Sequence, residues 1–250
     1  MKVLAALSSP GARRVKRFVD LILAGTALIV LAPVLVCIAV AVGLAMGRPV
    51  IFRQRRIGLH EAEFPVYKFR TLDEAVTDAN GAERSSEDRV TSLGWFLRRT
   101  SLDELPQLVN VLRGDLSLIG PRPLLPHYLP AYTGRERLRH TVRPGISGLA
   151  QISGRNQLSW DDKLELDVQY VEHWSLLLDA RIGLRTIAML IRWSDDVVRD
   201  PAGEGDLARL RATQSPPAAH TARGGASSAV ATQPAGPLGN TPGSRDDKGA

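Results

Sequence analysis

The chain has 250 residues, 44% of them hydrophobic and 23% charged, with a formal net charge of +6. That mixture excludes wholesale disorder and collagen-like repeats, and the length allows one large domain or two small ones, each with a sizeable core. A single cysteine, Cys37, excludes a disulfide framework and a Cys-rich metal or iron–sulfur site, while the basic balance points to an anionic partner: nucleic acid, a phosphate-bearing substrate or an acidic lipid surface.

Residues 1–12 read as a flexible N-terminal segment. From Leu21 to Met46 no residue is charged, which exceeds the ~20 residues a membrane helix needs and the ~7–15 of a signal-peptide core. Both flanks are basic: Lys2, Arg13, Arg14, Lys16 and Arg17 precede the run, and Arg48, Arg53, Arg55 and Arg56 follow it. Lys and Arg beside a membrane segment mark the cytoplasmic side, so a straight span leaves one cluster on the wrong side. Pro33, near the middle, removes a backbone donor and bends a helix. Two topologies stand open over residues 13–48: a Pro-broken re-entrant helix that enters and leaves by the same face, and a kinked tilted span.

Residues 49–200 read as a cytoplasmic domain. Ile51-Phe52 and Phe64 to Phe69 are strand-forming, interrupted by Gly58 and Pro65. Residues 73–90 are polar, with Asn80-Gly81 as a turn signal. Ser159 with Asp162 resembles a capping box, and Trp160, Leu164, Val168 and Val171 recur at helical spacing opposite Glu165 and Glu172. From Leu176 to Trp193, Arg181, Arg185 and Arg192 share one face, with Leu184, Ile187, Leu190 and Ile191 roughly opposite. That pattern suits an interfacial amphipathic helix or a helix packed on the core, and both stay open. Residues 201–250 read as a disordered tail, dominated from 215 by Ala, Gly, Pro, Ser and Thr.

The sharpest chemistry lies between Arg98 and Gln107. Ser101 with Glu104 forms a capping box, and Leu105, Leu108, Val109 and Leu112 give a helical stripe ending near Gly114; Pro106 offers a second helix start. Asp103 and Glu104 either cap this helix or work among the arginines around them. Arg98 and Arg99 lie just upstream, and Arg122 is presented between two prolines in Gly120-Pro121-Arg122-Pro123. Carboxylates among arginines suit a metal-bound diphosphate, and an ionised aspartate can attack phosphorus. Lys68 and Arg70 sit in Lys68-Phe69-Arg70-Thr71, which reads as a phosphate contact or a solvated strand edge. Arg143 in Arg143-Pro144-Gly145-Ile146-Ser147-Gly148, and Arg155 in Ser153-Gly154-Arg155, belong to loops similar to phosphate cradles. They lack Walker A spacing, no histidine pattern suggests zinc, and no D-x-D occurs. His127 and His173 read as ordinary polar residues.

Several motifs together resemble the bacterial sugar transferase family, the monotopic phosphoglycosyl transferases. They are Lys16-Arg17-x-x-Asp20 before the apolar run, Tyr67-Lys68-Phe69-Arg70-Thr71, Ser101-Leu102-Asp103-Glu104-Leu105-Pro106-Gln107, Arg113 to Pro123, and Arg143 to Gly148, collinear over residues 13–192. The resemblance implies transfer of a sugar 1-phosphate from a UDP-sugar to polyprenyl (undecaprenyl) phosphate with release of UMP. It implies Asp103 as the nucleophile of a phosphosugar–aspartyl intermediate, Glu104 as a Mg²⁺ ligand and Arg122 on the donor's diphosphate. Lys68 and Arg98 become candidates for the polyprenyl phosphate, and Arg70, Arg143 and Arg155 for substrate binding.

The resemblance also favours the re-entrant helix and a minimal catalytic unit without further membrane helices. The expected protein is an α+β, helix-rich domain on the bacterial inner (cytoplasmic) membrane, its site facing the cytoplasm. Its expected partners are the UDP-sugar, polyprenyl phosphate and membrane lipids, with no nucleic acid and with homodimer formation left open. Two rivals remain: one-step transfer without a covalent intermediate, and a non-enzymatic basic adaptor that binds anionic lipid or nucleic acid.

Overall fold

The first helix, α1 (Pro10–Met46), contains the apolar run, with Pro33 inside it. The computed structural model describes residues 10–73, 89–154 and 158–191, with Leu207 and Arg211. Residues 1–9, the Asn80-Gly81 turn, Arg155, Arg192 and nearly all of the 201–250 tail lie outside the described residues.

Polar side chains fix the start of α1 to the rest of the protein. Lys16 Nζ lies 2.6 Å from Asp179 Oδ2, and Arg17 donates to the carbonyls of Val111 (2.6 Å) and Leu112 (3.1 Å). Buried Asp20 accepts from Ser117 Oγ at 2.8 Å and from the Leu118 amide at 3.2 Å. One turn on, Ala24 enters a core with Phe64, Val66, Leu108, Val111 and Leu116. Ile29, Val30, Val34 and Val36 are then exposed. Beyond them Ile38, Val42 and Met46 dock again, against Phe69 and Leu97. Both ends of α1 rest on one body, and its apolar middle faces outward. Among the described residues it is the one helix long and apolar enough to cross a membrane.

Strands β1 (Ile51–Ile57) and β2 (Glu63–Phe69) form an antiparallel ribbon, with Ile51 opposite Phe69 and Ile57 opposite Glu63. Gly58 ends β1 as expected, but Pro65 lies inside β2 instead of breaking it. A two-stranded ribbon consists of edges only, where a missing amide is tolerated. The Pro65 carbonyl accepts from Asn110 Nδ2 at 2.8 Å. The same amide's Oδ1 takes the Tyr67 N–H at 3.1 Å, so Asn110 staples β2 to the helix that carries it.

Helix α2 (Ser92–Arg99) is capped by Thr91, whose Oγ1 accepts from the Gly94 amide at 2.9 Å. Gly94 packs so closely that a Cβ there would lie 2.0 Å from the Thr71 carbonyl oxygen. A single 3-10 turn, Leu102–Glu104, connects α2 to α3 (Gln107–Arg113). The Ser101 capping box does not form. Ser101 adopts a left-handed conformation (φ 56) and its side chain caps nothing, so the helix starts after Pro106, the second of the two expected starts. Of the expected stripe, Leu108 is buried, but Val109 and Leu112 face outward and Val111 takes the inner position. A helix this short covers the core with one i, i+3 pair. Gly114, at φ 95, ends it.

Strand β3 (Ser117–Ile119) pairs in parallel with β4 (Gly145–Ser147). The glycines of the Arg143-to-Gly148 segment serve this contact: a Cβ on Gly145 would lie 2.1 Å from the Gly120 nitrogen, and one on Gly148 2.1 Å from the Gly120 oxygen. Helix α4 (Leu149–Ser153) follows. Helix α5 (Trp160–Glu172) is capped by Ser159 as predicted, with Trp160, Leu164, Val168 and Val171 buried. Its Glu165 and Glu172 both pair with Arg135 on the outer side. In α6 (Leu176–Ile191) Ile182 is buried, whereas Leu184, Ile187, Leu190 and Ile191 are exposed. Those four do not pack on the core, which α6 meets through Leu178, Ile182 and Met189. The result is helix-rich with two small sheets.

Candidate active site

Asp103 and Glu104 occupy the 3-10 turn between α2 and α3, where the chain reverses from one helix into the next. Lys68 reaches Glu104 from β2 and Arg122 from the loop after β3. Lys68 Nζ lies 2.6 Å and Arg122 Nη2 3.1 Å from Glu104, both on Oε1. Oε2 keeps no protein partner among the described residues. Asp103 is 8% exposed and takes no hydrogen bond or ion pair among the described residues. Of the sequence candidates, Lys68 and Arg122 therefore meet at Glu104, next to Asp103.

Two adjacent carboxylates are driven apart in character. Burial, then the neighbouring Glu104 charge, pushes Asp103 up to about 6, although Lys68, Arg98 and Arg122 pull the other way. Burial also pushes Glu104 up, but Lys68 and Arg122 outweigh it and hold its carboxyl well below the usual range. Glu104 is thus a fixed anion. Asp103 is ionised at neutral pH, more basic than an ordinary aspartate and unengaged.

The other candidates are placed as follows. Arg98 acts on Asp103 through its charge while its Nε donates to Thr71 Oγ1 at 2.9 Å. Arg70 is buried, and its Nε and Nη2 have no hydrogen-bond partner among the described residues. Arg143 is not brought to the carboxylates: its Nε donates to the Gly114 carbonyl at 2.9 Å, at the far end of α3. Arg155 lies outside the described residues.

Arg122 leaves a loop in which the four successive carbonyls from Pro121 to Leu124 each accept a hydrogen bond. Pro121 O accepts from the Gly145 amide (2.9 Å), Arg122 O from Arg139 Nη2 (2.6 Å), Pro123 O from Arg56 Nη1 (3.5 Å) and Leu124 O from the Ile57 amide (2.9 Å). Arg56, Asn110, Arg139 and Asp167 were missed by sequence reasoning. Asp167 alone carried a signal, an acid spaced with Leu164, Val168 and Val171 on the apolar face of α5.

Among the described residues no group of three or more His, Cys, Asp or Glu converges to hold a metal. Mg²⁺ needs less, since it binds through one or two carboxylates completed by substrate phosphates and water. Glu104 Oε2 fits that requirement.

A sequence model described as bacterial sugar transferase matches residues 11–193. The uncharacterised sugar transferase EpsL of Bacillus subtilis is 48% identical over 176 residues, which cover 70% of this chain and 87% of that protein. The UDP-glucose:undecaprenyl-phosphate glucose-1-phosphate transferase of Escherichia coli is 43% identical over 192 residues, covering 70% of this chain but only 40% of its own length. The exopolysaccharide production protein ExoY of Rhizobium meliloti is 38% identical, with 69% of this chain and 83% of that protein covered.

Proposed function

The chain belongs to the bacterial sugar transferase family, and from that premise we propose that it moves a sugar 1-phosphate from a UDP-sugar to undecaprenyl phosphate through a phosphosugar–aspartyl intermediate. The activity named for the E. coli relative supports the overall transfer. ExoY supports a place in exopolysaccharide assembly. The observation that carries the mechanism is the unequal pair: Glu104 is tied to Lys68 and Arg122, while Asp103 beside it is buried and unengaged.

In the first step an Asp103 carboxylate oxygen attacks the phosphorus that bears the sugar. The bond from that phosphorus to the bridging oxygen breaks, and its electron pair leaves with UMP. In the second step a phosphate oxygen of the acceptor attacks the same phosphorus, and the carboxylate is restored. Arg122 holds the donor's diphosphate against the charge that develops there. Lys68 and Arg98 hold phosphate oxygens on the side of β2 and α2. Glu104 would hold Mg²⁺, which would supply charge neutralisation for the diphosphate. Burial of Asp103 keeps water from competing for the intermediate.

A re-entrant placement of α1 in the cytoplasmic leaflet belongs to the same reading. Contacts of Lys16, Arg17 and Asp20 at one end and of Met46 at the other with one body support it. The exposed middle residues supply the apolar surface for the lipid, and exposed Leu184, Ile187, Leu190 and Ile191 on α6 add an interfacial face.

The test is UMP release from a panel of UDP-sugars by detergent-purified protein with Mg²⁺ and no acceptor. About one UMP per active site from wild type, and none from Asp103→Asn, is the expected outcome. Turnover that begins only when undecaprenyl phosphate is added overturns the covalent step and leaves the transfer standing.

A further inference from the structure

Arg122 acts from a loop without regular structure, and a long side chain is aimed only as well as its own backbone is held. The prolines on either side restrict that backbone but remove two amide donors, so the loop is held through its carbonyls. Three of the four donors to them are main-chain amides or the Arg56 guanidinium at 3.5 Å. The fourth differs in kind. Arg139 Nη2 lies 2.6 Å from the carbonyl of Arg122 itself and 2.6 Å from Asp167 Oδ2. The side chains of Arg139 and Asp167 are 2% and 4% exposed. Arg139 Nη1 also donates to Tyr132 Oη at 3.1 Å.

A buried ion pair contributes little net stability compared with an apolar pair of similar volume, because both charges are desolvated. Stability alone therefore gives no reason for this one. Its position does, since the charged hydrogen bond ends on the backbone of the residue that reaches Glu104.

We propose that Arg139, oriented by Asp167, is a positioning residue for Arg122. It fixes the Arg122 carbonyl and so aims the guanidinium at Glu104 and at a diphosphate seated beside it. This rests on the reading of Arg122 as a ligand of the donor's diphosphate.

The test compares donor use by wild type, Arg122→Ala, the paired change Arg139→Met with Asp167→Leu, and all three changes together. Replacing both partners of the ion pair avoids stranding one buried charge, and thermal melting in the same detergent reports whether each protein is folded. The paired change is expected to raise KM for the UDP-sugar by about 10- to 100-fold, the usual effect of losing a supporting contact. It is expected to raise KM no further once Arg122 is Ala. An equal rise in both backgrounds means that the pair acts on the fold at large, and overturns the inference. If Arg122→Ala alone leaves donor use unchanged, the diphosphate reading falls, and the inference with it. Should the paired variant not fold, Arg139→Lys replaces it: the ammonium keeps a charge for Asp167 but ends one bond short of the Arg122 carbonyl. A folded Arg139→Lys protein with wild-type KM overturns the inference; a raised KM at an unchanged melting temperature supports it.

Discussion

A carboxylate that no protein group engages responds to pH differently from one tied to two cations. Asp103 titrates at about 6 in the folded protein against 3.8 ordinarily, so UMP release should climb with pH through about 6 and level off above, in single-turnover assays. The stability consequence has the opposite direction. Between those two values the folded state holds the proton that the unfolded chain has lost, so Asp103 makes stability fall as pH rises. Asp103→Asn should therefore melt higher than wild type at pH 7, with the difference vanishing towards pH 4. His140 works the other way: burial, then Arg139, pushes its imidazole down to about 4 from 6.5, although Glu61 opposes the shift. The unfolded chain takes up that proton first, so His140 costs stability as pH falls from 6.5 towards 4. In His140→Gln the melting temperature should drop less than in wild type across that window. The carboxylates among arginines at Asp103, Glu104 and Arg122 were visible in the sequence as residue types that suit one chemistry, whereas Lys68 was singled out only through the family resemblance. Arg139 was not visible, because an arginine in a run of charged residues looks the same in sequence whether it is buried or solvated.

Elements carry the next level of specification. The β1–β2 ribbon, the Ser159 cap and the Gly114 stop follow from local chemistry and could be anticipated. The start of α3 could not, since the choice between Ser101 and Pro106 depends on how the turn at Asp103 fits beneath Lys68. Similarly, the glycines at 145 and 148 look like a phosphate loop in sequence, yet they serve the approach of β4 to Gly120. Two substitutions probe this level by thermal melting. Asp20→Ala removes a buried carboxylate that accepts from Ser117 and Leu118, and should cost about 2 kcal/mol, the scale of hydrogen bonds to charged groups. Gly94→Ala drives a methyl onto the Thr71 carbonyl and should cost at least about 1–3 kcal/mol, as overpacking does. It should also lower activity, because α2 leads directly into the catalytic turn.

For the whole molecule the decisive feature is that α1 holds to one body at both ends. Cysteines introduced as Arg13→Cys and Arg48→Cys, each in a Cys37→Ser background, should both react with a membrane-impermeant maleimide from the cytoplasmic side alone. Labelling from opposite sides would establish a crossing and discard the re-entrant placement. The same feature reaches into biosynthesis. Ala24 shares a core with Phe64, Val66, Leu108, Val111 and Leu116, and Val42 shares one with Phe69 and Leu97, so part of the hydrophobic interior is the long apolar helix itself. The ribosome delivers that helix first, and on the proposed placement it waits in the lipid until α3, which follows the Leu102–Glu104 turn, emerges to meet it. On the proposed placement of α1, insertion therefore precedes completion of the candidate site, which matures at the surface where the proposed lipid acceptor resides.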